Sequence, residues 1–290
     1  MEHQTNAKSV NHLLPLAIII CSLFFSSSRL QAQVKDSSPC NLNRISRPFP
    51  TPYPYVRDGD LMWSKRIWRV IDLREKMNLP LYYPTEPTIC LVSLFDVFKR
   101  AILSGELKAY ANPVFDDEFT MEMSKEEVTK LLVSWDSIQV EDVNNPGNFT
   151  IESVKKEITA GNICQYWIKE DWYFDKERSV MEVRISGICP LVQKVSESGE
   201  VLGVKPLFWI HFPDARVFLA RAAAFNSFND AERMSLDEVF VKRRFSSYVY
   251  KESNVYNRTI AEYKTGLDAQ LESEGIKEDI FKYESDLWQQ

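Results

Sequence analysis

NICQYWIKEDWYFDKERSVMEVRISGICPLVQKVSESGEVLGVKPLFWIHFP, residues 162–213, is the stretch whose alternation decides the fold. Cys164, Tyr166, Ile168, Trp172 and Phe174 share one parity, and Gln165, Lys169 and Asp171 take the other. The returning arm repeats this, with Met181, Val183, Ile185 and Cys189 against Glu182, Arg184 and Ser186. Side chains alternate faces along a strand, so a period of two marks strands that turn one face to a core. The polar break SESGE separates these arms from LGVKPLFWIHFP. The pattern predicts an antiparallel meander of three or four strands.

The loop between the first two arms sets their register. A two-residue loop at Lys176 and Glu177 brings Cys164 opposite Cys189, within disulfide reach. It also sets Lys169 against Arg184 and Asp171 against Glu182, and like charges directly across strands are unfavourable. Such a loop further wants Gly, Asn or Asp where φ is positive. A four-residue loop, Lys176 to Ser179, instead pairs Asp171 with Arg184 and slides the cysteines two residues apart. The longer loop is preferred, so Cys164–Cys189 is a disulfide candidate that the register disfavours.

Composition narrows the function. The 290 residues are 44% hydrophobic and include 17 Phe, 12 Tyr and 7 Trp, enough apolar mass for a sizeable core. Only nine glycines are present, with no GxxxxGKS/T and no GxGxxG, which argues against a phosphate-cradling loop. A formal net charge of −6 has the wrong sign for a nucleic-acid binder. Lys8, the apolar run Leu13 to Phe25 and the segment SSSRLQA ending at Ala32 read as a secretory signal peptide, residues 1–32. That run, about 13 residues, is short of the ~20 a spanning helix needs. Cys21 follows three isoleucines rather than a small residue, so lipid modification there is not expected. The mature chain is expected to be exported and free of membrane spans. It keeps Cys40, Cys90, Cys164 and Cys189 without CxxC spacing, so buried free thiols are favoured over a zinc site.

Residues 33–56 read as an extended arm. Pro48, Pro50, Pro52 and Pro54 alternate with Phe49, Tyr53 and Tyr55, a spacing that forbids helix and central strand. Residues 57–290 form one domain on this reading, with a secondary boundary at 144–160. A helix is predicted over Asp60 to Asn78, with Trp63, Ile67 and Val70/Ile71 as its apolar face and Lys65, Arg66 and Arg69 as a solvated basic strip. A second is predicted over Leu91 to Gly105. A third is opened by the Ser124/Glu127 capping box and carries Val128, Leu131, Leu132 and Trp135. Asn144 to Gly147 is a turn. Helices are further expected over 213–225, from Ser235 or Leu236 to about Tyr250, and through Ile276, Ile280, Tyr283 and Leu287 at the end. The fold class is therefore α+β: an antiparallel β-meander flanked by helices, with an extended Pro-rich N-terminal arm.

Chemistry is thinly represented. His211 is the only histidine left in the mature chain; it shares parity with Trp209 and reads as a structural residue rather than one half of a Cys/His dyad. Glu170 lies on the apolar parity with Ile168 and Trp172. Either burial raises its pKa for acid catalysis, or this end of the sheet reaches solvent or an arginine pairs with it, and the second reading is favoured. Asp116-Asp117-Glu118 lacks the ligand spacing of a calcium loop. Lys242-Arg243-Arg244 reads as a solvated helix face. No catalytic, cofactor-binding or metal residue is expected.

Five longer strings carry a resemblance. They are RDGDLMWSKRIWRVIDLREKMNLPLYYP (57–84), IKEDWYFDKERSVMEVRISGICP (168–190), FWIHFPDAR (208–216), SSYVYKESNVYNR (246–258) and LDAQLESEGIKEDIFKYESDLW (267–288). Together they resemble the gliding-motility protein family GldN, also called PorN, of the type IX secretion system. The resemblance implies a non-enzymatic periplasmic subunit held at the inner face of the outer membrane through its partner. It further implies rings built with the outer-membrane lipoprotein GldK/PorK, self-association within the ring, and contact with the periplasmic part of GldM/PorM and with GldL/PorL. Phe49, Tyr53 and Tyr55 of the arm are the expected partner-binding residues. The rival readings are a periplasmic hydrolase using Glu170 or Asp116–Glu118, and a small-ligand module with an apolar pocket beside the meander.

Overall fold

The structure is a computed structural model that describes residues 48–288 apart from 89–90, 115–117, 142–148, 197–198 and 227–233. The signal peptide, Cys40, Cys90, Asp116, Asp117, the Asn144–Gly147 turn and the arm before residue 48 lie outside the described residues. In chain order the elements are β1 (Leu61–Asp72), α1 (Leu79–Tyr82), α2 (Leu94–Ser104), β2 (Ala109–Tyr110), β3 (Glu122–Met123), α3 (Lys125–Leu132), β4 (Val133–Glu141), β5 (Phe149–Glu157), β6 (Ile163–Asp175), β7 (Val180–Val195), β8 (Val201–Pro206) and β9 (Ile210–His211). They continue as α4 (Phe212–Leu219), β10 (Ala223–Ala224), β11 (Met234–Ser235), α5 (Leu236–Val241), β12 (Tyr248–Glu252) and α6 (Leu267–Trp288).

The meander is present, and it is larger than the sequence suggested. The main sheet runs β12-β1-β6-β7-β8 with β9 against β7, all antiparallel. The hairpin uses the four-residue loop: Asp175 faces Val180 and Asp171 faces Arg184. Beyond Glu170 the register slips by one, because Ser186 is an extra residue in β7 and its hydroxyl donates to the Lys169 carbonyl at 3.2 Å. A bulge of this kind reverses which face each later residue takes. Ile185 and Ile188 therefore both enter the main core, while Cys189 crosses to the other face with Trp68, Leu191 and Trp209. The parity that placed Cys189 beside Ile185 is thus corrected.

The predicted helix over Asp60–Asn78 is instead an interior strand, β1, between β12 and β6. Trp63, Ile67 and Ile71 fit a period of two as well as a period of four. The β-branched and aromatic content of LMWSKRIWRVID favours a strand wherever partners exist on both sides. As a strand it sends the three basic residues to different partners. Lys65 pairs with Glu252 at 2.5 Å, Arg66 with Asp171 at 2.6 Å, and Arg69 with the Ser247 hydroxyl at 2.8 Å. Three other helices end early. The third stops at Leu132, and Trp135 lies 66% exposed on β4, which pairs with β5. The helix from Ser235 stops at Val241, and Tyr248–Glu252 becomes an edge strand. The segment 213–225 likewise leaves its helix at Leu219.

The helices that agree do so for local reasons. α2 is capped by the Ser93 hydroxyl and closed by Gly105 at φ 83. α3 and α5 each open on a capping box, Ser124/Glu127 and Ser235/Glu238. One face of the sheet packs on α2, α3, α4 and α5 around Phe95, Phe98, Tyr166, Phe208 and Phe212. α6 covers a smaller cluster of Ile67, Val249, Ile260, Ile276 and Ile280. Tyr283 stacks on Trp63 at 4.9 Å. No helix among the described residues is long and apolar enough to cross a membrane.

Candidate functional site

Charge is buried at the centre of the sheet. Glu170 is 0% exposed, and Arg243 grips both its oxygens at 2.9 and 3.2 Å while Trp172 Nε1 donates at 3.0 Å. Arg243 comes not from a solvated helix face but from the turn after α5, where φ is 50°, and its guanidinium also lies over the Trp172 and Phe245 rings. On the opposite face Lys169, 1% exposed, reaches Glu118 at 3.2 Å, and Glu118 also takes Arg66 at 2.8 Å. A third pair, Arg216–Asp237, is closed by bonds of 2.7 and 3.1 Å. Burial lowers the Arg69 pKa, with the Glu170 charge opposing that shift. Glu170 and Asp237, bonded on both oxygens and sealed from water, hold a shape and have no free position for a substrate proton, whereas Glu118 is 62% exposed.

The other residues singled out are placed apart from Glu170. His211 Nδ1 meets Asp214 Oδ2 at 2.8 Å. Cys164 and Cys189 are both free thiols, so the disulfide candidate is not formed. Their sulfurs contact the Leu191 and Pro190 carbonyls, and burial raises both pKa values, so neither is an activated thiolate. Among the described residues no group of three or more His, Cys, Asp or Glu is placed to hold a metal ion.

The arm divides its aromatics between two tasks. Tyr53 lies between the guanidiniums of Arg216 and Arg184, 4.3 and 5.2 Å from its ring, and burial raises its pKa against the pull of Arg216. Arg184 also donates to the Pro54 carbonyl. Residues 51–54 line a depression with Val183, Ile185, Phe212 and Phe240, along the half of β7 that neither β8 nor β9 pairs. Proline removes the donors a strand would need, so the arm covers this edge without extending the sheet. Phe49 and Tyr55 face outward, 69% and 85% exposed.

Two further surfaces carry features that alternation alone did not single out. β8 presents Val201, Leu202 and Val204 to solvent. At the other end of the sheet, a groove of about 760 Å³ runs between β12 and the first half of α6. Trp167 and Tyr250, stacked at 5.2 Å, wall it with Val249, Ile260 and Ala269. The signal that could have found the groove is the small-residue spacing Ala269 and Ser273 on the inner face of α6.

These features define an α+β protein whose buried carboxylates Glu170 and Asp237 are held in ion pairs and whose surface presents exposed apolar side chains. Residues 56–289 match the family described as Gliding motility associated protein GldN, and the chain belongs to that family. No curated protein matches it.

Proposed function

We propose that the chain is a structural periplasmic subunit of the type IX secretion and gliding machinery. In this reading it builds rings with the outer-membrane lipoprotein GldK/PorK and meets the periplasmic part of GldM/PorM, and of GldL/PorL, without catalysing a reaction. The observation that carries it is family membership across residues 56–289. The sealed state of Glu170 supports a scaffold over a hydrolase, since a general acid must reach its substrate. Within the arm, Tyr53 is the internal anchor and Phe49 and Tyr55 are the residues offered to a neighbour.

Co-purification from envelopes with the lipoprotein, followed by native size measurement, tests the reading. A very large complex in the outer-membrane fraction is expected. A chain that stays solitary beside an abundant lipoprotein, or one that turns over a substrate when pure, overturns it. Phe49→Ala/Tyr55→Ala is expected to weaken the complex while leaving the fold intact, whereas undiminished assembly assigns the arm no part in it.

A further inference from the structure

The first half of β7 is an unfinished edge. β6 pairs one side of Val180–Ser186, while β9 pairs only from Gly187 and β8 only from Leu191. No strand among the described residues pairs the other side. The arm lies there, and it is held thinly. Residues 48–56 make no backbone–backbone hydrogen bond with the described residues. Thr51, Pro52, Pro54 and Tyr55 are exposed, and Tyr53 alone of these five inserts, between Arg184 and Arg216.

Arg184, under the arm, is short of a partner. Its Nε is the one buried side-chain nitrogen or oxygen among the described residues without a hydrogen-bond partner. Its guanidinium donates to the Pro54 carbonyl and lies over the Tyr53 and Tyr173 rings, and no carboxylate among the described residues pairs with it. The carboxylates beside it on the sheet are committed elsewhere. Glu182 takes Arg178 and the Tyr173 hydroxyl, both at 2.6 Å, and Asp171, facing it on β6, takes Arg66. A buried donor left open costs free energy and calls for an explanation. The arm offers Arg184 a single carbonyl, whereas a carboxylate takes Nε and a terminal nitrogen together.

We propose that the arm is a displaceable strap, and that an extended, carboxylate-bearing segment of a partner subunit takes its place along Val180–Ser186. In the assembly proposed above that subunit is the lipoprotein, so the inference rests on that reading. Strand addition supplies what the strap lacks: main-chain hydrogen bonds along the edge and an acceptor for Arg184 Nε. Until then the strap keeps the edge from pairing with the wrong chain, a common protection for open strands. Release gives up one inserted side chain and one hydrogen bond, and proline keeps the arm extended whether seated or free.

The test compares the full mature chain, alone and in complex with the lipoprotein, by hydrogen exchange and limited proteolysis. Complex formation is expected to slow exchange over Val180–Ser186 about tenfold or more, and to open residues 48–56 to protease. Tyr53→Ala removes the anchor and is expected to tighten binding about threefold or more, because less of the chain is held in the strapped state. Arg184→Gln is expected to weaken binding about tenfold or more. A complex in which the edge exchanges as before, or in which the arm stays protected, overturns the strap and leaves the reading above standing. So does a Tyr53→Ala chain that binds no more tightly than the native one at an unchanged unfolding midpoint. If Tyr53→Ala lowers that midpoint, exchange and proteolysis of the native chain decide alone. Failure of the native chain to bind the lipoprotein overturns both.

Discussion

The centre of the sheet and its β8 end invert the usual distribution of polar and apolar groups. At the centre, Lys169 and Glu170 sit on adjacent positions of β6, 1% and 0% exposed, on opposite faces and with separate partners. At the end, Val201, Leu202 and Val204 stand in solvent. Burying a charge costs several kcal/mol before its partner returns anything, so such pairs are poor sources of stability. Their effect is geometric: Glu170 draws the Arg243 turn onto the sheet, and Lys169 holds Glu118 over the opposite face. Exposed aliphatics on an open edge stabilise nothing in the isolated chain, and their value lies in what they meet. The interior thus fixes shape, and the margin leaves aliphatic side chains in solvent.

That contrast can be broken by substitution. The largest effect is expected from Arg243→Met, which strands the Glu170 carboxylate in a dry site. A loss of about 3–5 kcal/mol in denaturant unfolding is expected, with most of it regained when Glu170 is also made apolar. If the single variant is as stable as the native chain, the centre is not the rigid region described. Next comes Gly187→Ala, at the bulge. A Cβ there would lie 2.6 Å from Phe119 Cζ, so the ring must shift, and a loss of about 1–3 kcal/mol is expected. Ser124→Ala removes half of the α3 capping box and should cost about 1 kcal/mol by thermal unfolding.

Smaller still is a pH effect at the α2–β5 contact. Hydrogen bonds from Lys99, then Lys155, lower the Glu157 pKa from 4.5 to about 2. A depressed carboxylate pKa adds stability above the unfolded value of 4.5, and that contribution is lost as pH falls through about 2. Lys99→Met should flatten this part of the acid unfolding curve, modestly, because Glu157 is partly exposed and salt screens it. The least change in stability is expected from Val204→Lys, within about 0.5 kcal/mol of the native chain.

Much of the fold was legible in residues 162–213. The like-charge clashes of Lys169 with Arg184 and of Asp171 with Glu182, with a turn lacking Gly, Asn or Asp, favoured the long loop, and the structure has it. The Ser124/Glu127 capping box marked one helix start, because capping is satisfied within four residues of chain, while the caps at Ser93 and Ser235/Glu238 were found only in the structure. Glu170 was visible as a charge on an apolar parity, with solvent or an arginine as the alternatives to catalysis, and the structure buries it under an arginine. The partner's identity was not visible, since Arg243 lies 73 residues away in a turn read as a helix face.

By itself the sequence determined what depends on near neighbours: the alternation of the meander, its loop, the caps and the aromatic spacing of the arm. Tertiary structure alone decided the state of LMWSKRIWRVID, which fits helix and strand alike and became β1 because β6 and β12 supply hydrogen bonds on both sides. It also decided the face taken by Cys189, since the extra residue at Ser186 reverses every later position while leaving the hydrophobic pattern unmarked. Period is a property of one segment, whereas strand identity and register are properties of the partners across from it.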